Sequence, residues 1–103
     1  MISIKNPEQI DKMRKAGALL YEVYQKLRDK IRPGVSTAEL DIYAEQLIRR
    51  NHAIPSCLGY QGYPATLCTS VNDAVVHGIP SEKQILQEGD VLSIDTCLEL
   101  DGW

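Results

Sequence analysis

Apolar residues in the first half of the chain return every three or four positions. Ile10, Met13, Gly17, Leu20, Tyr24, Leu27 and Ile31 make one stripe, and that spacing predicts an amphipathic helix. Asn6-Pro7-Glu8 marks its start: a capping side chain, a proline whose missing N–H costs nothing in the first turn, and an acid near the positive helix end. Pro33-Gly34 is read as its stop. Ser36-Thr37-Ala38-Glu39 reads as a capping box, in which hydroxyl and carboxylate satisfy each other's free backbone amides. The second helix it opens carries Leu40, Tyr43, Leu47 and Ile48 inward and ends near Asn51. Both stripes are read as core packing, so the helices form a supporting layer rather than a site.

From His52 the texture changes. Pro55, Gly59, Gly62 and Pro64 break the period, and small polar and β-branched residues dominate from Thr66 to Val76, which predicts a loop leading into short strands. Ile79-Pro80 begins another loop, and Glu88-Gly89-Asp90 is a turn. Strict alternation follows. Leu92, Ile94, Leu98 and Leu100 point one way, while Val91, Ser93, Asp95, Cys97 and Glu99 point the other. Asp101-Gly102 is a tight-hairpin signal. The sequence closes at Trp103, so the expectation is that the return strand lies outside it. Helices followed by strands give an α+β fold.

Composition narrows the class. The 103 residues include 14 acidic and 11 basic side chains, a formal charge of −3, with 44% hydrophobic and 24% charged residues. Those are ordinary values for a globular domain and not those of a disordered or low-complexity chain. Nucleic-acid binding by bulk charge is excluded, since that requires a basic surface. The length fits one domain, residues 1–103, with a thin core. The N-terminus has no secretory signal, and no apolar run approaches a membrane span. Cys57, Cys68 and Cys97 are an odd set without a CxxC pair, as expected of free thiols in a reducing cytoplasm.

Four features could carry chemistry. Asp95 sits on a strand opposite four large aliphatics, where a rigid carboxylate suits a metal ion or proton transfer; a water-facing carboxylate fits the alternation equally well. His77, in Val75-Val76-His77-Gly78, could project into a cavity from a strand end, although a lone histidine is more often simply hydrogen-bonded. The segment Cys57-Leu58-Gly59-Tyr60-Gln61-Gly62-Tyr63-Pro64, with Cys68 beyond it, could line an aromatic and sulfur pocket suited to an unbranched thioether, or could be a surface loop. His52 follows a helix end and has no further role. The histidines and cysteines show no zinc spacing.

Taken in order, CLGYQGYP, TSVNDAVVHGIP and GDVLSIDTCLELDGW resemble type I methionine aminopeptidase, as do KNPEQIDKMRKAG and RPGVSTAELD before them. The resemblance runs from Met1 to Trp103. It implies the first half of a pita-bread fold, two helices on a small, mainly antiparallel sheet, in a cytoplasmic metallopeptidase that removes the initiator methionine from nascent polypeptides. It also implies two divalent metal ions (cobalt, manganese, iron or zinc), which lower the pKa of water and so supply a nucleophile at neutral pH. By match to the motifs, Asp95 would be the first carboxylate ligand. His77 would contact substrate near the scissile peptide and stabilise the transition state. Cys57, Tyr60, Tyr63 and Cys68 would line the methionine pocket, and Asn72 and the Ala74 carbonyl would belong to a monovalent-cation site. Gln61 stands where many bacterial members have histidine.

The family's other metal ligands and its general base lie beyond the position of Trp103, so the expectation is a chain inactive alone, with at most one ligand. A non-catalytic binding module for nascent chains or ribosomes is the alternative. A proline-cleaving pita-bread peptidase fits the Cys57–Cys68 pattern less well. An uncovered half-fold surface could also pair two copies about a twofold axis.

Overall fold

The computed structural model describes residues 4–72 and 78–103. Helix α1 spans Pro7–Arg28 and α2 spans Thr37–Arg50. At the start of α1, Asn6 Oδ1 accepts from the Gln9 amide at 2.8 Å and the Asn6 amide donates to Gln9 Oε1 at 2.9 Å. This reciprocal pair is a full capping box. At α2 only half of the expected box forms: Ser36 Oγ accepts from the Glu39 amide at 3.1 Å. The amide of Thr37, the first helical residue, donates to the Gln84 carbonyl at 3.0 Å, which ties this helix start to the later loop.

Two expectations for α1 need correction. The helix ends at Arg28, with Asp29 as its cap, so Ile31 lies outside it. Lys30 and Ile31 donate to the carbonyls of Leu27 and Arg28, and this three-residue turn uncoils the chain before Pro33 is reached. The buried face is also rotated from the predicted stripe. Ala16, Leu19, Val23 and Leu27 are buried, Leu20 and Tyr24 are half-buried, and Ile10 and Met13 are exposed. Both stripes satisfy helical spacing, and only the packing partners choose between them. Because α1 has 22 residues against 14 in α2, its N-terminal turns extend beyond the helix pair.

The strands are short. β1 is Ile54–Pro55, β2 is Cys68–Val71, β3 is Leu92–Asp95 and β4 is Leu98–Glu99. They make two antiparallel pairs, β1 with β4 and β2 with β3. The alternating segment therefore serves two sheets in succession. Thr96 joins them, buried, with its hydroxyl donating to the Thr66 carbonyl at 2.7 Å. Asp101 and Gly102 both take positive φ, 51° and 83°. Leu100 and Trp103 exchange two backbone hydrogen bonds across them, as the hairpin signal predicted.

The core joins Leu19, Val23 and Leu27 of α1 to Leu40, Ala44, Leu47 and Ile48 of α2, closed by Ala53, Leu67 and Leu86. Leu92, Ile94, Leu98 and Leu100 pack against it, so all four aliphatics of the alternating segment face inward. Full burial, as at Leu27, Leu40 and Ile48, contributes about 1.5–3 kcal/mol per side chain, and the half-buried aliphatics of the alternating segment contribute less. Among the described residues three ion pairs (Lys15–Asp11, Lys26–Glu22 and Arg49–Glu45) lie at the surface, spaced i,i+4. Each is worth only about 0.3–0.5 kcal/mol, so packing rather than surface charge holds the helices. No described helix is long and apolar enough to cross a membrane.

Candidate functional site

The site begins with the register of β2 on β3. Cys68 pairs with Asp95, Thr69 with Ile94, Ser70 with Ser93 and Val71 with Leu92. Because side chains alternate, Thr69, Val71, Leu92 and Ile94 share the core side while Cys68, Ser70, Ser93 and Asp95 share the other. That second face is the floor of a cavity of about 740 Å³, within the range typical of small-ligand sites.

The cavity wall comes from the segment after β1. Gly59 and Gly62 take φ of 84° and 80°, with Gln61 at 50° between them. These left-handed positions fold residues 59–63 into a tight loop. Its closure is made by the Gly59 amide on the Tyr63 carbonyl at 2.7 Å and the Tyr63 amide on the Tyr60 carbonyl at 2.9 Å. Tyr60, Gln61 and Tyr63 thereby line the same cavity as Cys57, Cys68 and Asp95. Tyr60 is 67% exposed and forms the rim. The Tyr63 hydroxyl donates to the Leu67 carbonyl at 2.8 Å, which anchors its ring beside Cys68. Burial, then the hydrogen bond and charge of Cys68, push the Tyr63 hydroxyl well above the usual phenol range, so it stays a neutral donor.

Four predicted residues, Cys57, Tyr60, Tyr63 and Cys68, are thus brought together with a fifth, Asp95. Asp95 is exposed at the end of β3, on the face opposite the core aliphatics. Among the described residues, no three His, Cys, Asp or Glu side chains gather closely enough to hold a metal ion. Asp95 is therefore one carboxylate donor, not a complete metal site. His77 and Ala74 lie outside the described residues.

Asn72 is described and is fully engaged. At a φ of 55° it ends β2; its Nδ2 donates to Asp90 Oδ1 at 3.0 Å, and its Oδ1 accepts from the Val91 amide at 2.9 Å. The Gln87 amide donates to Asp90 Oδ2 at 2.8 Å. The Asn72 hydrogen bond, then that of Gln87, hold the Asp90 carboxyl below its ordinary value of 3.8. This knot fixes the entry to β3.

Three participants went unrecognised in the sequence. Asp41, on α2, accepts from the amides of Thr66 and Leu67 at 2.9 and 2.7 Å, and so sets the position of Cys68 from behind. Tyr24, assigned to the core stripe, carries a hydroxyl raised in pKa by burial and then by the charge of Asp95, so it lies within the field of the site. Cys97 lines the cavity with its Sγ 2.9 Å from that of Cys57. Burial, followed by the hydrogen bond to Cys57, pushes the Cys97 thiol up to about 11. An Asp within a helix and a Cys in an alternating segment carry no local signal of these contacts.

Residues 11–103 match the metallopeptidase family M24. The chain belongs to that family. Methionine aminopeptidase of Escherichia coli (strain K12) is 47% identical over 103 residues, 99% of this chain and 39% of that protein. The Clostridium acetobutylicum enzyme of the same name is 48% identical over 103 residues, 100% of this chain and 41% of that protein. The chain spans about two fifths of the length of these curated relatives and matches their N-terminal part. Among solved structures, the crystal structure of methionine aminopeptidase from Rickettsia prowazekii superposes with a TM-score of 0.96 at 41% identity, over 100% of this chain and 41% of that one. The Thermotoga maritima methionine aminopeptidase gives 0.94 at 34% identity, over 99% and 41%. As an M24 member, the chain has the α+β architecture of one part of the pita-bread fold: two helices against small antiparallel sheets.

Proposed function

We propose that this M24 chain is the part of a methionine aminopeptidase that forms the methionine side-chain pocket and contributes one metal-ligating carboxylate. The observation that carries this reading is the single cavity shared by Cys57, Tyr60, Tyr63, Cys68 and Asp95. Polarisable sulfur and aromatic walls suit an unbranched thioether side chain. Asp95 pairs with Cys68 across β2 and β3, so the carboxylate stands next to the pocket wall on a hydrogen-bonded strand pair. A strand pair is a rigid mount for a ligand.

In this reading the substrate is the N-terminal methionine of a polypeptide. Asp95 is the residue of the described set that would hold a divalent ion, and bound metal would supply an activated water and polarise the scissile carbonyl. His77 would donate to the carbonyl oxygen as charge develops there. Asn72 would offer its main-chain carbonyl to a monovalent cation beside that of Ala74, since both ends of its side chain are engaged. The protein is assigned to the cytoplasm, where the reducing thiol pool returns its cysteines to the free form.

Among the described residues Asp95 is the one carboxylate placed on the cavity. One carboxylate does not retain a pair of metal ions, so we expect no peptide hydrolysis by these 103 residues alone. The test is release of methionine from a Met-Ala peptide with cobalt or manganese. The expected result is no turnover; turnover that survives repurification and is lost in Asp95→Asn would overturn it.

A further inference from the structure

We propose that Cys57 and Cys97 form a reversible disulfide site on the cavity wall, oxidised by small disulfides of the glutathione class. The two residues are 40 positions apart, yet their Sγ atoms stand 2.9 Å from each other. Backbone hydrogen bonds hold both sides. β1 pairs Ile54 with Glu99 and Pro55 with Leu98, and the Ser56 amide then donates to the Cys97 carbonyl at 3.2 Å. Drawing the sulfurs to a bond of about 2.05 Å needs a small side-chain rotation rather than a rearranged chain. Access is open, because Cys97 is exposed, Cys57 is half-buried and both line the cavity. The third cysteine is an internal control: Cys68 sits on β2 opposite Asp95 and has no sulfur partner among the described residues.

The chemistry balances with the oxidant named. One cysteine, as thiolate, attacks a sulfur of oxidised glutathione; its S–S bond breaks, and one glutathione leaves and takes up a proton. The second cysteine loses its proton and attacks the protein sulfur of the mixed disulfide, expelling the other glutathione. Two protein S–H bonds and one glutathione S–S bond are lost, while one protein S–S bond and two glutathione thiols form. The protein is oxidised and glutathione is reduced. The second step is intramolecular, so it outruns capture by a further glutathione. Oxidation also takes Cys57 out of the wall of the proposed methionine pocket and lowers methionine binding; that consequence rests on the proposed function, whereas the disulfide itself does not.

The experiment is to treat the reduced chain with oxidised glutathione, block with iodoacetamide, and map the cysteines by tandem mass spectrometry. The expected result is a Cys57–Cys97 link, reversed by dithiothreitol, with Cys68 alkylated throughout. In Cys97→Ser, Cys57 should instead retain glutathione as a mixed disulfide. If that variant does not fold, Cys68→Ser must still give the Cys57–Cys97 link. Separate stable adducts on Cys57 and Cys97, unreacted thiols at both, or a link to Cys68 would overturn the proposal. Titrating methionine amide into both redox forms separates the two claims. Loss of binding on oxidation supports the pocket consequence; equal binding removes that consequence and leaves the disulfide standing.

Discussion

Replacing Asp41 tests how the helical layer sets the cavity. Its Oδ1 accepts both the Thr66 and the Leu67 amide, and both of those residues are fully buried. Asp41→Ala strands two buried donors at about 1–3 kcal/mol each, or roughly 2–6 kcal/mol together, with water entry favouring the lower end. That is a large share of the stability of a small domain, about 5–15 kcal/mol. Asp41→Asn keeps an acceptor in place. The Asp41 pKa is raised, because burial outweighs the two amide bonds that lower it and the Glu45 charge adds to the rise. A carboxyl raised in the folded state contributes stability that is complete below its unfolded value near 3.8 and is lost as pH rises through the folded value. At neutral pH the wild type therefore carries a cost that Asn does not, and Asp41→Asn should lose less than about 1.5 kcal/mol. Urea unfolding at pH 7 measures both variants, and the alkylation rate of Cys68 should rise in the Ala variant as the segment loosens. Equal losses for Ala and Asn, or an Ala variant of wild-type stability, would show that Asp41 does not hold the two amides.

Other outcomes follow from the same contacts. Leu27 is 1% exposed at the centre of the helix pair, so Leu27→Ala should cost about 2–5 kcal/mol by chemical denaturation. A Cβ on Gly78 would overlap the backbone carbonyl of Thr69, and the Gly78 carbonyl itself accepts from the Thr69 amide of β2 at 2.7 Å. Gly78→Ala should therefore lose about 1–3 kcal/mol or more and broaden the amide signals of β2. The Asp90 carboxyl is depressed, so it stabilises the fold above about 3.8 and that contribution fades as pH falls through the folded value. A carbon-detected titration of Asp90 should have its midpoint below 3.8, and Asp90→Asn should lessen the acid sensitivity of unfolding.

What the sequence revealed depended on how local the cause was. Asn6, Ser36 and Asp101-Gly102 act within a few residues, and each cap or turn forms where the residues indicated. The alternation of Leu92, Ile94, Leu98 and Leu100 also survived, because a pleat imposes it whichever strand lies alongside. The rotation of α1 was not legible: Ile10 and Met13 satisfy helical spacing as well as Ala16 and Leu19, and only packing partners distant in sequence separate the two faces. The division of the alternating segment between two sheets was hidden for a similar reason, since Thr96 looks like any strand residue until Thr66 is placed beside it. In the site, Cys57, Tyr60, Tyr63, Cys68 and Asp95 were visible through their resemblance to a family pattern. Asp41 and Cys97 were not, because their partners lie 25 to 40 positions away.

In the proposed function, the cavity floored by Cys68 and Asp95 receives a methionine side chain. Nitrogen-15 NMR titration with methionine amide, with leucine amide as the branched control, tests it most directly. Methionine amide should give saturable shifts confined to the amides of residues 56–70 and 93–97, and leucine amide much weaker ones. Shifts of equal size for both ligands, or shifts centred away from the cavity, would contradict it.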